Sequence, residues 1–338
     1  SMIPMKLFQR AAEKYNFILL CSNNSKNGPT QDIVRAIKAV WVDSHKRLSI
    51  DKKRIYASGF SGGARTCSIM HYLTGKSLAG IIAFGAGLQV KIKPEDIKPA
   101  SYLGVVGMGD FNYKEMIVLG QKFAKIGVDY RMLVYDGAHD WGSEALCTQS
   151  LEWMVVRAMR RGLIPREKNL MQAIYDRELA EAQEFEMQQN PYLAYERYSA
   201  MKQSFSGMVD ITGAENGKIR IAGSTPFKTF MQGEKKRAKV ESNYLKSILL
   251  AFKQLNSPSF SPEKSGQYIA KFHGQALLDI EKSNNIYQRS MATQVLAYLY
   301  KEALAEASRY VYKKDNPRAA VLLRVAVTIN PKNTLALY

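Results

Sequence analysis

The chain has 338 residues, of which 46% are hydrophobic and 23% charged, and its net charge is +18. This composition excludes an intrinsically disordered chain, and the length favours two domains over one. No stretch of the sequence approaches the roughly 18 uninterrupted apolar residues of a membrane helix, so we expect no membrane span.

The positive charge raises nucleic acid as a partner, but the sequence offers little else for that function. The excess of Lys and Arg is spread over both halves, and no nucleic-acid-binding motif accompanies it. The densest run, residues 234–246, interleaves acids and suits a solvated helix face. We therefore expect no nucleic-acid partner, although anionic glycans or acidic surfaces stay open as partners.

Cysteine usage bears on metal sites and cross-links. The three cysteines form no C-x-x-C pair, so neither a zinc site nor another metal or cofactor is expected. Two interpretations stay open for Cys67 and Cys147: a bridge near the candidate site, or two buried thiols.

Short apolar strands alternate with helical segments over residues 1–162, which indicates a parallel sheet covered on both faces by helices. The predicted helices lie at residues 5–16, 31–48, 62–73, 113–127 and 144–161. The predicted strands lie at residues 17–21, 54–58, 80–86, 102–108 and 130–136. The fold class is therefore α/β, followed by a second domain.

Residues 163–338 contain no strong strand pattern and are predicted to form an all-α helical domain. A glycine-rich segment, residues 211–227, interrupts the helices and is expected to form a loop or small hairpin. The final stretch, residues 316–338, resembles the second helix of a tetratricopeptide repeat, one unit at most. This resemblance implies a protein partner for the helical domain. The other amphipathic segments are residues 166–189, 191–209, 234–255, 262–282 and 285–313.

The segment Gly59-Phe60-Ser61-Gly62-Gly63 fits the pattern G-x-S-x-G between a predicted strand and a predicted helix. In that setting the serine sits on a sharp, strained turn with its Oγ held above the sheet, as a nucleophile requires. The Gly62 N–H would lie at a helix N-terminus, where it can stabilise an oxyanion. The alternative is an ordinary glycine-rich turn.

A nucleophilic serine needs a base, and the base needs an acid that orients it. His139 follows the last predicted strand on a glycine-flanked loop, where ligands bind in open parallel sheets. Asp110 follows the preceding strand and is the preferred orienting acid. Asp136 and Asp140 are rivals, but they lie too close to His139 in sequence and suit loop caps. Ordinary surface or core roles are expected for the remaining histidines: His45, His71 and His273.

The order serine, acid, histidine after successive strands resembles the α/β-hydrolase fold. More narrowly, residues 13–24, 55–64, 109–116 and 137–141 resemble predicted esterases related to polyhydroxybutyrate depolymerases, feruloyl esterases and dienelactone hydrolases. In that family the serine follows the fifth strand, the acid the seventh and the histidine the eighth, which fits if residues 17–21 are the fourth strand. The resemblance covers roughly residues 5–160 and implies a Ser61–His139–Asp110 triad and an acyl-enzyme.

The family begins with three further strands, and a loop after the third supplies a second oxyanion donor. In this sequence these strands and the donor are expected to be missing, which would cost about 10²- to 10³-fold in rate. Three explanations stay open: the sequence starts too late, the gene start was misassigned, or the protein is a reduced relative. Ser1-Met2 resembles a tag remnant, so location stays open: secreted or periplasmic if a leader was removed, otherwise cytoplasmic.

The expected reaction is hydrolysis of a small-molecule or polymer ester. Two alternatives stay open: an impaired hydrolase-like domain in a helical binding or scaffold protein, and a serine peptidase related to prolyl oligopeptidase. Arg65 could meet a substrate carboxylate, but a surface salt bridge is the preferred interpretation. Four aromatic residues could line an acyl pocket or equally pack in the core: Phe60, Phe111, Tyr113 and Trp141.

Overall fold

A computed structural model of the chain describes residues 3–22 and 27–331. Its sheet has four strands: β1 Tyr56–Phe60, β2 Gly80–Phe84, β3 Ser101–Gly107 and β4 Tyr130–Tyr135. The helices around the sheet are α1 Ile3–Lys14, α2 Thr30–Arg47, α3 Gly62–Leu73, α4 Tyr113–Ile126 and α5 Glu144–Arg160.

The strands are parallel and lie in the order β1-β2-β3-β4. Every residue of β2 and β3 is buried, which explains why these strands read as unbroken apolar runs in the sequence. The predicted α/β class with a parallel sheet is thereby confirmed at the level of a generic α/β fold.

The sheet separates two apolar clusters, because successive side chains along a strand point to opposite faces. Ile81 packs in the cluster that includes Ala64 of α3 and Phe123 of α4. The next residue, Ile82, packs in the cluster that includes Phe8 of α1 and Trp153 of α5. Helices therefore cover both faces of the sheet, as the alternating pattern predicted.

The prediction of a strand at residues 17–21 is wrong. No strand is assigned there, although the burial of the side chains alternates as it would in one. Phe17 and Leu19 pack on the α1–α5 side of the sheet, while Ile18 and Leu20 are exposed. An apolar run can thus bury alternate side chains without joining a hydrogen-bonded ladder.

The prediction of a loop or hairpin at residues 211–227 is also wrong, because this segment forms helix α8, Thr212–Gly223, and the start of α9. That prediction rested on the glycines of the segment, among them Gly217. A Cβ at Gly217 would lie 2.4 Å from the ring of Tyr198, so the glycine permits close helix packing and does not break the helix.

The chain divides into two compact units. The first comprises residues 1–107, 112–135 and 140–228, and the second comprises residues 108–111, 136–139 and 229–338. These units do not divide at residue 162, the boundary predicted from the sequence, since helices α6–α8 belong to the first. The remaining helices are α6 Lys168–Met187, α7 Pro191–Phe205, α9 Thr225–Leu255, α10 Ser265–Ala270, α11 Gly274–Glu281, α12 Ile286–Tyr312 and α13 Asn316–Ile329.

Helices α12 and α13 pack together in the core of the second unit through Leu299, Ala303, Leu322 and Val325. Asn285 caps α12, and its side chain accepts hydrogen bonds from the backbone N–H groups of the first turn. The resemblance to a tetratricopeptide repeat stays a prediction, and its last part, residues 332–338, lies outside the described residues.

No described helix combines the length and the apolar character that crossing a bilayer demands.

The three cysteines differ in environment: Cys21 is exposed, whereas Cys67 and Cys147 are buried and are not bonded to each other. Burial raises the pKa of Cys67 and that of Cys147 to about 12. The structure thus favours two buried thiols over a bridge.

A buried ion pair attaches α6 to the sheet. Arg131 of β4 donates two hydrogen bonds to Glu178 of α6, at 3.0 and 2.7 Å, and both side chains are 2% exposed. Burial raises the pKa of Glu178, but the Arg131 guanidinium outweighs it, so the pKa lies below its ordinary value.

Glu178→Gln should destabilise the protein by about 3–5 kcal/mol at neutral pH, because it leaves the Arg131 charge buried and unpaired. The loss should shrink as the pH falls through the folded-state pKa of Glu178, since protonation then removes the same charge from the wild type. Urea denaturation at several pH values measures both effects.

Asp43→Asn is the matched control, because Asp43 pairs with Arg47 on the solvent-exposed side of α2. This variant should lower the free energy of unfolding by less than about 1 kcal/mol. Equal losses for the two variants would show that the buried pair holds α6 no better than a surface pair.

Thiol titration under native conditions should modify Cys21 quickly, and Cys67 and Cys147 only after unfolding, because a buried thiol with a raised pKa offers little thiolate. Ellman's reagent with and without guanidinium provides the count, and Cys21→Ser provides the control. Rapid modification of more than one thiol in the folded protein would contradict the described burial.

Candidate functional site

Ser61 lies between the end of β1 and the first residue of α3, and its backbone has φ 54° and ψ −117°. A positive φ is uncommon for a residue with a side chain and costs about 1–3 kcal/mol. The Ser61 N–H donates a 2.8 Å hydrogen bond to the carbonyl oxygen of Phe84 at the end of β2, which holds the turn against the sheet.

One of the neighbouring glycines, Gly59, is required by space. A Cβ at Gly59 would lie 2.3 Å from the carbonyl carbon and oxygen of Gly63, across the turn. A Cβ at Gly62 would lie 2.1 Å from Oδ1 of Asn27, whose carboxamide rests against the turn. A Cβ at Gly63 would meet nothing within 4 Å. The first glycine of the pattern G-x-S-x-G is therefore required because the turn is sharp.

Gly62 is the first residue of α3, so its backbone N–H belongs to the first turn of a helix. The N–H groups there have no partner within the helix and carry the positive end of its dipole. This is the setting in which a backbone N–H can stabilise a developing oxyanion.

Asp110 and His139 are in contact. His139 Nδ1 lies 2.8 Å from Asp110 Oδ2, and the Asp110 side chain is 1% exposed against 17% for His139. A carboxylate at this position can accept a hydrogen bond from the Nδ1–H group and fix the tautomer that leaves Nε2 as the proton acceptor. The two residues follow the carboxyl ends of β3 and β4.

The two rival acids have other partners. Asp136 pairs with Arg289 at 2.7 Å. Asp140 accepts hydrogen bonds from the Tyr135 hydroxyl at 2.8 Å and from the Gly142 N–H at 2.6 Å, which makes it a loop cap. Neither carboxylate therefore competes with Asp110 for the imidazole in this structure.

The four aromatic residues proposed for a substrate pocket have different surroundings. Phe111 stacks on the His139 ring, with 4.2 Å between the ring centroids. Phe60 and Trp141 lie 5.7 Å apart in an aromatic cluster beside the sheet. Tyr113 is 8% exposed, and its hydroxyl lies 2.5 Å from the Tyr192 hydroxyl. Tyr113 therefore packs in the core, and Phe111 is the aromatic residue nearest the candidate base.

Arg65 forms a bidentate pair with Glu115, with both N–O distances 2.8 Å, and also donates to the carbonyl oxygen of Leu88. It therefore makes the salt bridge preferred from the sequence.

Among the other histidines, His71 is buried and unused by the site, and burial lowers its pKa. No group of three potential metal ligands occurs within residues 3–22 and 27–331.

A cavity of about 260 Å³ opens within the second compact unit. Its walls are Gly109 and residues 136–138 on the loop side, and Glu281, Arg289, Ser290 and Thr293 from α11 and α12. Sequence reasoning missed these helical residues, because nothing in the local pattern of α12 connects it to loops more than 150 residues earlier.

Comparison with known proteins identifies no relative. No protein family, no curated protein and no solved structure matches this chain. The resemblance to α/β-hydrolases therefore rests on the motifs named above.

Ser61→Gly should stabilise the protein by about 1 kcal/mol, because glycine adopts a positive φ without the steric penalty that serine pays. Ser58→Gly is the matched control in the same strand, and it should destabilise by about 0.5–1 kcal/mol. Urea denaturation measures both changes. A loss of stability in Ser61→Gly equal to that of the control would show that Ser61 is not strained.

Proposed function

We propose that this protein is a serine hydrolase that cleaves a carboxylic ester through an acyl-enzyme. The observation that supports this most is the left-handed backbone of Ser61 at a strand-to-helix turn of a parallel sheet. Backbone strain of this kind concentrates at functional sites, and this turn is the one that presents a nucleophile in α/β-hydrolases.

In the proposed reaction, Ser61 Oγ attacks the ester carbonyl while His139 Nε2 takes its proton. His139 then gives that proton to the departing alcohol, and the acyl group stays on Ser61. Water, deprotonated by the same imidazole, then attacks the acyl-enzyme. The bond to Ser61 Oγ breaks, the imidazole returns the proton to that oxygen, and the acid is released. This assignment is supported by the 2.8 Å contact between His139 and Asp110, because an imidazole that cycles through its cation needs a fixed carboxylate.

Stabilisation of the oxyanion is assigned to the Gly62 N–H, supported by its place at the start of α3. Phe111 is assigned to the substrate side of the site, supported by its stacking on His139. Phe60 and Trp141 remain proposed pocket residues, whereas the burial of Tyr113 argues for a packing role.

One alternative is favoured by a specific observation. Helices α12 and α13 form a packed pair in the second unit, as the helices of partner-binding repeats do. In that function residues 1–162 would be an inactive hydrolase-like domain. The peptidase alternative differs only in the substrate, and cleavage of peptide anilides rather than esters would favour it.

A fluorophosphonate probe should label the wild-type protein and should fail to label Ser61→Ala, because the probe phosphonylates only an activated serine. His139→Ala and Asp110→Asn should slow the labelling by about 10²- to 10⁴-fold, the range for loss of a general base. Mass spectrometry of the labelled peptide identifies the modified residue.

Ser58→Ala is the control, since Ser58 lies three residues earlier on β1 in ordinary strand conformation. It should label like the wild type. If the wild type does not label, or if Ser61→Ala labels equally well, Ser61 is not an activated nucleophile and the hydrolase proposal fails.

A further inference from the structure

We propose that helix α12 is the positioning element for the Asp110–His139 pair, with Gln294 and Arg289 as the positioning residues. That this positioning serves catalysis rests on the proposed function, whereas the contacts that support the positioning role do not depend on that function. The loops at residues 108–111 and 136–139, which contain Asp110 and His139, belong by their contacts to the same compact unit as α12.

The first contact holds the Asp110 loop. Gln294 is 6% exposed, and its Nε2 donates a hydrogen bond to the carbonyl oxygen of Met108, two residues before Asp110. A buried carbonyl that loses its donor pays the full cost of desolvation, so this bond resists movement of the loop. The bond therefore fixes the backbone from which the Asp110 side chain extends.

The second contact holds the His139 loop. Arg289 Nη2 lies 2.7 Å from Asp136 Oδ2, three residues before His139, and Arg289 Nη1 lies 3.4 Å from the carbonyl oxygen of Ser283. The guanidinium thus ties the loop to the start of α12. The Coulombic attraction in this half-exposed pair is modest, but its geometry restricts where the loop can lie.

The two loops are also joined to each other. The Gly109 N–H donates a 2.7 Å hydrogen bond to the carbonyl oxygen of Gly137. A Cβ at Gly109 would lie 3.0 Å from that same oxygen and 3.0 Å from Cγ2 of Thr293 on α12. The glycine therefore lets the backbone of the Asp110 loop approach both its partner loop and the helix.

The cavity borders both loops. About 260 Å³ of space is lined by Gly109 and residues 136–138 on the loop side, and by Arg289, Ser290 and Thr293 on α12. The loops therefore have room to move on this side, and the hydrogen bonds from Gln294 and Arg289 oppose that movement.

A third residue of α12 extends the same face of the helix. Lys301, seven residues after Gln294, places its Nζ 5.4 Å from the centre of the Phe111 ring, which in turn stacks on His139. Residues seven apart lie on one face of an α-helix. One face of α12 thus contacts the loop of the acid through Gln294 and the aromatic residue beside the base through Lys301, while Arg289 reaches the loop of the base from another side of the same helix.

The test compares Gln294→Met and Arg289→Met with the wild-type full-length chain. Both substitutions keep the volume and remove the donor. The first readout is the downfield proton NMR signal of the His139 Nδ1–H, assigned by its loss in His139→Ala. We expect the signal to broaden or disappear in both variants, because their loops no longer hold Asp110 and His139 at hydrogen-bonding distance.

The second readout is the rate of fluorophosphonate labelling, together with kcat and KM for p-nitrophenyl acetate. We expect the labelling rate and kcat to fall by about 10- to 100-fold, as misplacement of a catalytic group does, while KM changes little. Arg289→Lys keeps a cation opposite Asp136 and should recover most of the rate. A residue that only stabilised the fold would show neither this separation of kcat from KM nor this recovery.

Arg309→Met is the matched control, because Arg309 lies on the same helix and pairs with Glu306 at an exposed position. It should leave both readouts unchanged. If Gln294→Met and Arg289→Met also leave the NMR signal and the rates unchanged, the positioning role is wrong. If the wild type does not label but both variants lose the signal, the positioning role stands and the hydrolase proposal fails.

Discussion

The parallel direction of β1 to β4 is the constraint on which the rest of the structure depends. Because the four strands run the same way, the segments that leave their carboxyl ends emerge at one edge of the sheet. Ser61, Asp110 and His139 each follow such an end, after β1, β3 and β4. A parallel sheet must also be covered on both faces, which α1 and α5 do on one side and α3 and α4 on the other.

The strained backbone of Ser61 persists because the structural elements on both sides of the residue fix the position of the chain. On one side, the Ser61 N–H is bonded to β2, and on the other side α3 begins at once. The absence of a Cβ at Gly59 lets the strand and the helix meet across the turn. The free energy gained from forming the sheet and the helix, several kcal/mol, can thus offset the cost of about 1–3 kcal/mol for the strained backbone of Ser61. The position of Ser61 is consequently set by secondary structure, and does not depend on a flexible loop.

Local features of the sequence were the ones that could be predicted. The strands β2 and β3 were visible because burial on both faces produces short, continuous apolar runs, and the turn at Ser61 was visible because the pattern G-x-S-x-G stands between a predicted strand and a predicted helix. The same reasoning failed at residues 17–21, where an apolar run packs without a ladder. It failed again at Gly217, where the glycine makes room for the Tyr198 ring and does not end a helix.

Contacts between distant parts of the chain could not be predicted. Gln294 and Met108 are 186 residues apart, and neither the glutamine nor its place in an amphipathic helix signals a bond to a loop carbonyl. The same holds for the buried pair of Arg131 and Glu178, two charged residues that a hydropathy pattern assigns to the surface. Such pairs are recognised only once the fold has brought them together.

The contacts of α12 have a consequence for the order of events during synthesis. Asp136 leaves the ribosome 153 residues before Arg289, and at roughly 5–20 residues per second this interval lasts roughly 8–30 s. During that time the sheet can form, since all four strands precede residue 136. The loops that contain Asp110 and His139, in contrast, must wait for a helix from the far end of the chain. The nascent protein can therefore form its sheet well before the contacts between α12 and these two loops are complete.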